Sequence, residues 1–258
     1  MTRTMTKRSI ALGIAALGFF LLSAPQVEAQ ADAVRVLVSN GMKAAMEELR
    51  PQCERAIGHP LALQFDSTAG LKKKIESGEA FDVALVTSQA IDDLIKQGKL
   101  AGSRAALGRV QLGIGIRAGA ARPDIHTPEA LKQTLRAAKT ITYREDGASR
   151  SDIDKMFGRL GITAEMKSKV ILTQGSGTST DNVAAGKAQY VITLSSEIMT
   201  VRGLQLLDPL PREFRYDIPF EGAVSANARD AQAAKALLAF LAGPKVALAF
   251  KATGINRP

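Results

Sequence analysis

The chain has 258 residues, a formal net charge of +9 and one cysteine. Only 5% of its residues are aromatic and none is tryptophan, so its basic side chains lack the stacking rings of a nucleic-acid platform, and we expect no nucleic-acid partner. A lone cysteine cannot close an internal disulfide. Together with two isolated histidines it does not make a zinc site, so we expect neither a metal nor a cofactor.

The N-terminus has the order of a secretory signal peptide. Basic residues precede an apolar run from Ile10 to Leu22, and a short stretch of small residues ends at Ala29. The run is too short for a comfortable membrane span. We therefore predict a signal peptide over residues 1–29, cleavage after Ala29 and export to the periplasm, with an uncleaved anchor as the alternative. Loss of three basic residues and one acidic residue lowers the net charge to +7, which favours negatively charged small partners.

Strands and helices alternate along the rest of the chain. Apolar patterns predict strands at residues 34–39, 61–65, 81–88, 109–119, 139–145, 169–174 and 190–196. Between and after them, helices are predicted at residues 42–57, 70–78, 89–98, 127–138, 152–161, 180–188 and 230–255, the last one broken at Gly243-Pro244. Cys53 falls on the apolar side of the first helix and is expected in the core. This alternation predicts an α/β fold with a largely parallel sheet flanked by helices.

Four loops share one design, because each follows a predicted strand and opens a helix. They span residues 39–43, 67–71, 147–151 and 175–179. In open α/β sheets, ligands bind beyond the carboxyl ends of the strands. Helix N-termini there offer unpaired N–H groups and partial positive charge, and hydroxyl groups add further donors. Each loop alone is also an ordinary helix cap. The four together predict a pocket for an anion or a carboxylate.

Three stretches carry a resemblance to a known family, and one of them is the start of the mature chain, "VRVLVSNGMKAAMEELRPQCERAIGHPLALQF". The segment "STAGLKKKIESGEAFDVALVTSQAIDDLIKQGKL" resembles part of the molybdate-binding-type periplasmic solute-binding proteins, and "AKALLAFLAGPKVALAFKATGI" resembles their C-terminal helices. The resemblance implies the type II periplasmic binding protein fold. In that fold, two lobes, each a mostly parallel sheet flanked by helices, are joined by crossover strands and close on a ligand. It implies one lobe at residues 31–112 plus 223–258 and the other at residues 113–222.

The same resemblance implies a function. Such a protein is a monomeric periplasmic component of an ABC-type importer, which hands a small anionic or polar ligand to a permease and its ATPase at the inner membrane. A binding protein that informs a non-ABC membrane partner is the alternative. A hydrolase is a third hypothesis. In hydrolases with a serine nucleophile on a G-x-S-x-G turn, the histidine base follows the serine along the chain, but neither histidine here follows Ser149. The chain therefore lacks a nucleophile–base set, and we expect no enzyme.

Where the family holds molybdate, the sequence departs from the pattern. The resemblance places the first-loop serine on Gly41 and the tyrosine that closes the molybdate site on Thr193. A molybdate-like oxyanion and a carboxylate both stay open as ligands. Arg144 and Arg150 border the third loop, where they could clamp a carboxylate or pair with nearby acidic residues. The candidate ligand-binding residues are Ser39, Asn40, Gly41, Ser67, Thr68, Ser149, Arg150, Gly175 and Thr193.

Overall fold

A computed structural model of the chain describes residues 33–175 and 177–257. The predicted signal peptide and its cleavage site lie outside the described residues. The fold is mixed α/β, with helices packed on the two sides of a twisted sheet, as the sequence predicts.

The first part of the sheet is parallel. Its strands β1 (Val34–Ser39), β2 (Leu61–Asp66) and β3 (Val83–Thr87) lie in the order β2-β1-β3. Each strand leads into a helix, as in other parallel sheets. A short 3-10 turn, Asn40–Met42, follows β1. The three helices are α1 (Lys43–Ile57), α2 (Thr68–Glu76) and α3 (Ser88–Lys96).

Two antiparallel strands connect this sheet to the rest of the molecule. Strand β4 (Leu100–Arg117) pairs first with β9 (Asp217–Ser225) and then, from Leu112 onward, with strands of a second sheet. Strand β4 begins nine residues before the predicted start at residue 109, because residues that do not alternate in polarity still pair with β9 across two irregularities. We call the β2-β1-β3-β9 sheet with its helices the first lobe. The lobe bounds given above stay a prediction.

The second sheet, which with its helices we call the second lobe, repeats the parallel arrangement. Strands β5 (Ile141–Arg144), β6 (Val170–Thr173) and β7 (Tyr190–Leu194) lie in the order β7-β5-β6, and β8 (Leu204–Leu207) pairs antiparallel with β4. The helices are α4 (Pro128–Ala137), α5 (Arg150–Leu160), α6 (Thr163–Met166), α7 (Thr178–Ala184) and α8 (Ser195–Met199). Helix α8 and strand β8 are not predicted from the sequence, because segments of five and four residues are too short to show a periodic pattern of apolar side chains.

The chain ends back on the first lobe. Helix α9 (Ala231–Ala242), the 3-10 turn Pro244–Val246 and helix α10 (Ala247–Ala252) precede the short strand β10 (Ile255–Asn256), which pairs with β4. The break at Gly243-Pro244 is where the sequence predicts it. Among the described residues, no single helix is long and apolar enough to cross a membrane. The α9 segment and the segment from the 3-10 turn to the end of α10 meet that test only together, and they are bent by 59°.

Each lobe has its own apolar core. In the first lobe, α1 and α9 pack on β1 and β3 through residues such as Met46 and Leu237. Cys53 belongs to this core, which confirms its predicted place, and burial raises the pKa of its thiol to about 12. In the second lobe, α4 and α5 pack on β5 through residues such as Leu131 and Phe157. Further apolar clusters pack on the opposite faces of the two sheets, and Leu194 at the carboxyl end of β7 packs into the first-lobe core.

Candidate functional site

A cavity of about 350 Å³ opens between the two lobes. One wall comes from the 3-10 turn after β1 and the first turns of α1. The other walls come from the end of β5 and from helices α7 and α8. The lining residues are Asn40, Lys43, Ala44, Glu47, Arg144, Gly177, Ser179, Thr180, Asp181, Glu197, Thr200 and Val201. A cavity of this size suits a small molecule.

The first-lobe wall carries a lysine and a glutamate on one face of α1. Lys43 and Glu47 are one helical turn apart and form an exposed ion pair. The Lys43 ammonium also lies over the ring of Phe65, with its nitrogen 5.0 Å from the ring centroid. Exposed ion pairs contribute little to stability, so Glu47 holds the Lys43 ammonium only weakly and this wall can offer its positive charge to a ligand.

Arg144 is the main buried cation of the cavity. It is the last residue of β5, and its side chain is 4% exposed. Its Nε and Nη2 atoms donate to Oδ1 of Asp146 at 3.1 and 3.0 Å, and Nη2 also donates to Oδ2 at 3.1 Å. Parallel hydrogen bonds of this kind fix the plane of a guanidinium. Asp146 thus holds the Arg144 side chain in one orientation at the cavity wall.

Asp146 also joins the two lobes. The hydroxyl of Ser67, at the start of α2, donates to its Oδ2 atom at 2.6 Å. Burial opposes ionisation of this carboxyl, but hydrogen bonds from Ser67 and the nearby charge of Arg144 outweigh it and lower the pKa of Asp146. The carboxylate is therefore ionised at neutral pH, and Ser67, Asp146 and Arg144 form one chain of hydrogen bonds from the first lobe to the cavity.

Glu197 is a half-buried carboxyl in the same cavity. It lies in α8, and the hydroxyl of Thr193 donates to its Oε2 atom. Burial raises the pKa of Glu197, and the negative charge of Asp146 adds to that shift, while the Thr193 hydrogen bond and the charge of Arg144 oppose it. A glutamate whose pKa is raised can hold a proton when its neighbours are ionised.

The predicted residues of the first lobe fall at and behind the cavity wall. Asn40 lines the cavity. Behind it, the hydroxyl of Thr68 donates to Oγ of Ser39 at 2.9 Å, and both residues are buried. Gly41 packs so tightly that a Cβ atom there would lie 2.6 Å from Cδ1 of Leu194. Its carbonyl oxygen accepts a hydrogen bond from the Ser196 hydroxyl at 2.9 Å. Gly41 is therefore an inter-lobe contact in this structure.

The predicted residues of the second lobe lie apart from the cavity lining. Ser149 is buried at the start of α5, where its side chain makes no capping hydrogen bond. Arg150 donates from Nε to Oδ2 of Asp154 at 2.9 Å. Gly175 is exposed, with φ of 81°. Thr193 donates to Glu197, as described above. Whether these residues contact a ligand stays a prediction.

The sequence model of a known family matches almost all of this fold. The family is described as bacterial extracellular solute-binding protein, and its model matches residues 34–256. The chain belongs to this family. An aconitate isomerase from Pseudomonas sp is 30% identical over 252 residues, which cover 93% of this chain and 95% of that protein. The molybdate-binding protein ModA of Azotobacter vinelandii is 26% identical over 249 residues, with the same coverage.

Solved structures of solute-binding proteins share the architecture. The periplasmic molybdate-binding protein of Azotobacter vinelandii superposes with a TM-score of 0.75 and 17% identity over 87% of this chain and 99% of that chain. The sulfate-binding protein SubI of Mycobacterium tuberculosis H37Rv gives a TM-score of 0.70 and 16% identity over 87% and 86% of the two chains. The predicted resemblance and the predicted type II fold are confirmed.

Several residues of this solute-binding protein's cavity are absent from the sequence-based candidates. Lys43 and Glu197 line the cavity, and Asp146 holds Arg144 at its wall; all three follow the ends of strands, as the four predicted loops do. A search for hydroxyl groups and glycines does not select these residues. Glu197 could have been selected, because it is an acidic residue directly after the predicted strand "YVITLSS". Arg144 is named by the sequence analysis as a neighbour of the third loop, and the structure places it at the cavity.

Replacing Thr68 with valine tests the role predicted for the second loop. The structure gives the helix cap to Ser67, whose Oγ accepts the Gly70 N–H at 2.9 Å, so α2 begins two residues before the predicted start at Gly70. Thr68→Val removes the hydrogen bond to Ser39, and we expect a loss of about 1 kcal/mol in the free energy of unfolding. Direct ligand contact predicts in addition a roughly tenfold loss of affinity. Urea unfolding and calorimetry on the same variant measure both, and unchanged affinity refutes the contact.

Proposed function

We propose that the protein captures a small organic anion between its two lobes, as the periplasmic binding component of an ABC-type importer. The observation that carries this proposal is the inter-lobe cavity with the buried guanidinium of Arg144 in its wall. A guanidinium held flat by a carboxylate presents its remaining N–H groups in a fixed direction, which suits a planar carboxylate. Lys43 supplies a second positive charge across the cavity.

The cavity favours a carboxylate over molybdate. The hydroxyl of Thr193 donates to Glu197, and Gly41 offers no side-chain donor and is packed against Leu194. Three acidic side chains, Glu47, Asp181 and Glu197, share the wall with the two cations. Because charges of both signs are spread over the wall, the lining suits an extended molecule that can place its carboxylates at the cations and its carbons elsewhere. One relative, named aconitate isomerase, acts on a tricarboxylate by its name. We take a di- or tricarboxylate as the ligand class.

A second candidate function is isomerisation of aconitate, which is an unsaturated tricarboxylate. It is favoured by 30% identity to the aconitate isomerase over 93% of this chain, and by the Glu197 carboxyl, whose raised pKa suits a group that takes and returns a proton. Our proposal is that the protein binds without catalysis. The family of solute-binding proteins to which it belongs supports that choice.

One set of measurements separates these functions. The chain from residue 30 onward is screened by thermal shift and calorimetry against cis-aconitate, trans-aconitate, citrate, molybdate and sulfate. We expect the organic acids to raise the melting temperature, because a ligand that binds only the folded state stabilises it. We expect molybdate to bind more weakly. Tight, selective molybdate binding refutes the ligand class. Conversion of cis- to trans-aconitate, followed by NMR, replaces our proposal with the second candidate.

The export and the partners follow from the same proposal. The relatives named above include periplasmic binding proteins, which supports a periplasmic location. We expect mass spectrometry of the protein from the periplasmic fraction to find its N-terminus at Gln30, after loss of residues 1–29. An intact N-terminus in the membrane fraction contradicts this. A monomer that docks on a permease with its ATPase is the expected partner arrangement. Ligand-dependent stimulation of that ATPase in proteoliposomes distinguishes it from a sensor for another membrane protein.

A further inference from the structure

Glu197 is a carboxyl group in the wall of an anion site. Such a placement is unfavourable while the group is ionised, because an incoming anion and the carboxylate repel each other. Within the described part of the chain, no lysine, arginine or histidine nitrogen lies within 4.0 Å of the Glu197 carboxylate to offset that repulsion. Its hydrogen-bond partner is the neutral hydroxyl of Thr193.

The charged groups around Glu197 come from three elements. The end of β5 and the loop after it supply Arg144 and Asp146, which are bonded to each other. Helix α1 supplies Lys43 with Glu47, again as a pair. Helix α7 adds the exposed Asp181. The two cations are thus already matched by the carboxylates of Asp146 and Glu47. Glu197 is left as a carboxyl whose charge is not balanced by an ion pair.

We propose that Glu197 takes up a proton when a carboxylate enters the cavity and donates that proton in a hydrogen bond to the ligand. Capture then consumes about one proton per ligand, and Glu197 selects ligands that offer a carboxylate oxygen at its position. This inference rests on the proposed function, and it specifies how the site tolerates an anion beside an acidic residue. No bond other than the O–H bond of Glu197 forms, and the proton comes from solvent.

The physical reason is a difference in proton affinity between two states. Without ligand, burial already favours the protonated carboxyl. An anion in hydrogen-bonding distance raises its proton affinity further, since the charged form is repelled and the neutral form donates a charge-assisted hydrogen bond. By linkage, a group that gains a proton on binding makes affinity fall as pH rises. Between the pKa of the ligand-free carboxyl and its higher pKa in the complex, the expected slope is about tenfold per pH unit.

Calorimetry with tricarballylate tests the proposal, because this saturated tricarboxylate has no double bond to isomerise. Titrations at about pH 8, where the free acid is fully ionised, are run in two buffers of different ionisation enthalpy. We expect the wild-type protein to take up about one proton. Glu197→Gln keeps a donor of the same size, so it should bind with no proton uptake and with little change of affinity over pH. Glu165→Gln, which removes an exposed carboxyl paired with Arg136 outside the cavity, should keep the uptake.

A second measurement needs no ligand. The carbon-13 carboxyl resonance of Glu197, identified by its absence in Glu197→Gln, is followed through a pH titration. We expect its midpoint well above the usual glutamate value of about 4.3. Binding of tricarballylate without proton uptake, or equal uptake by Glu197→Gln, overturns the proposal. If tricarballylate fails to bind, the proposed function is refuted for saturated tricarboxylates. The resonance then decides alone: a midpoint in the usual glutamate range overturns the proposal, and one above that range supports it.

Discussion

Replacing Asp82 with alanine is expected to lower the free energy of unfolding by about 3–5 kcal/mol. Asp82 is 2% exposed and lies just before β3. Its carboxylate accepts hydrogen bonds from the backbone N–H, Nε and Nη2 of Arg35 at 2.9, 3.0 and 2.9 Å. It also accepts the backbone N–H of Arg229 at 2.9 Å. One side chain therefore joins β1, β3 and the segment that leads into α9. Alanine leaves two backbone donors and a guanidinium without their acceptor.

The Asp82 effect should depend on pH in a defined direction. Burial opposes its ionisation, but the hydrogen bonds from Arg35 and Arg229 outweigh it and lower the pKa of Asp82. The stabilisation is then complete above the unfolded-state pKa of about 3.9 and is lost as the pH falls through the lower, folded-state pKa. Wild type and variant should thus differ most at neutral pH and converge in strong acid.

Urea unfolding of matched variants measures the size of this effect. Asp93→Ala is the control, because Asp93 forms a partly exposed ion pair with Lys72 at 2.7 Å and should contribute less than the buried Asp82. A loss at Asp82 no larger than the loss at Asp93 would show that the contacts of Asp82 are not coupled to folding. Unfolding followed by circular dichroism at several pH values tests the predicted convergence on the same pair of variants.

Local patterns were sufficient to predict most of the fold. Short apolar runs in "VRVLVS" and "YVITL" correspond to β1 and β7, and the Thr127-Pro128 start of α4 is a capped helix N-terminus in the structure. The misassigned parts depend on pairing at a distance. Strand β4 extends back to Leu100 only because β9, more than 100 residues later in the chain, pairs with it. Residues 100–108 show no alternation of apolar and polar side chains from which this part of the strand could be predicted.

The candidate site was predictable as a region but not residue by residue. Two of the four loops, at residues 39–43 and 175–179, supply lining residues of the inter-lobe cavity, whereas the loops at 67–71 and 147–151 do not. Which side chains reach the cavity depends on how the lobes meet. Ser67 and Asp146 are 79 residues apart and bond across the lobes. Gly41 is held against Leu194 and Ser196. Such contacts are set by how the two lobes meet, and local sequence does not specify them.

Replacing Arg144 with methionine is expected to weaken binding of a tricarboxylate about 100-fold, or about 3 kcal/mol. Arg144 supplies the buried positive charge of the cavity, and hydrogen bonds between charged groups are stronger than those between neutral groups. The same change also leaves Asp146 without its cation, so the free energy of unfolding should fall as well. A loss of affinity alone would therefore not separate a ligand contact from a weakened fold.

A second substitution makes the separation. In Arg144→Met with Asp146→Asn, the uncompensated carboxylate is gone, while an amide at position 146 can still accept the Ser67 hydroxyl. Stability should recover toward that of the wild type because no unpaired charge is buried. If Arg144 holds the ligand, affinity for trans-aconitate stays about 100-fold reduced in this double variant. Arg136→Met, which removes an exposed arginine paired with Glu165 outside the cavity, should keep both properties. Recovery of affinity together with stability would instead assign Arg144 a purely structural role, and the cavity would then have to hold its anion through Lys43 and neutral donors.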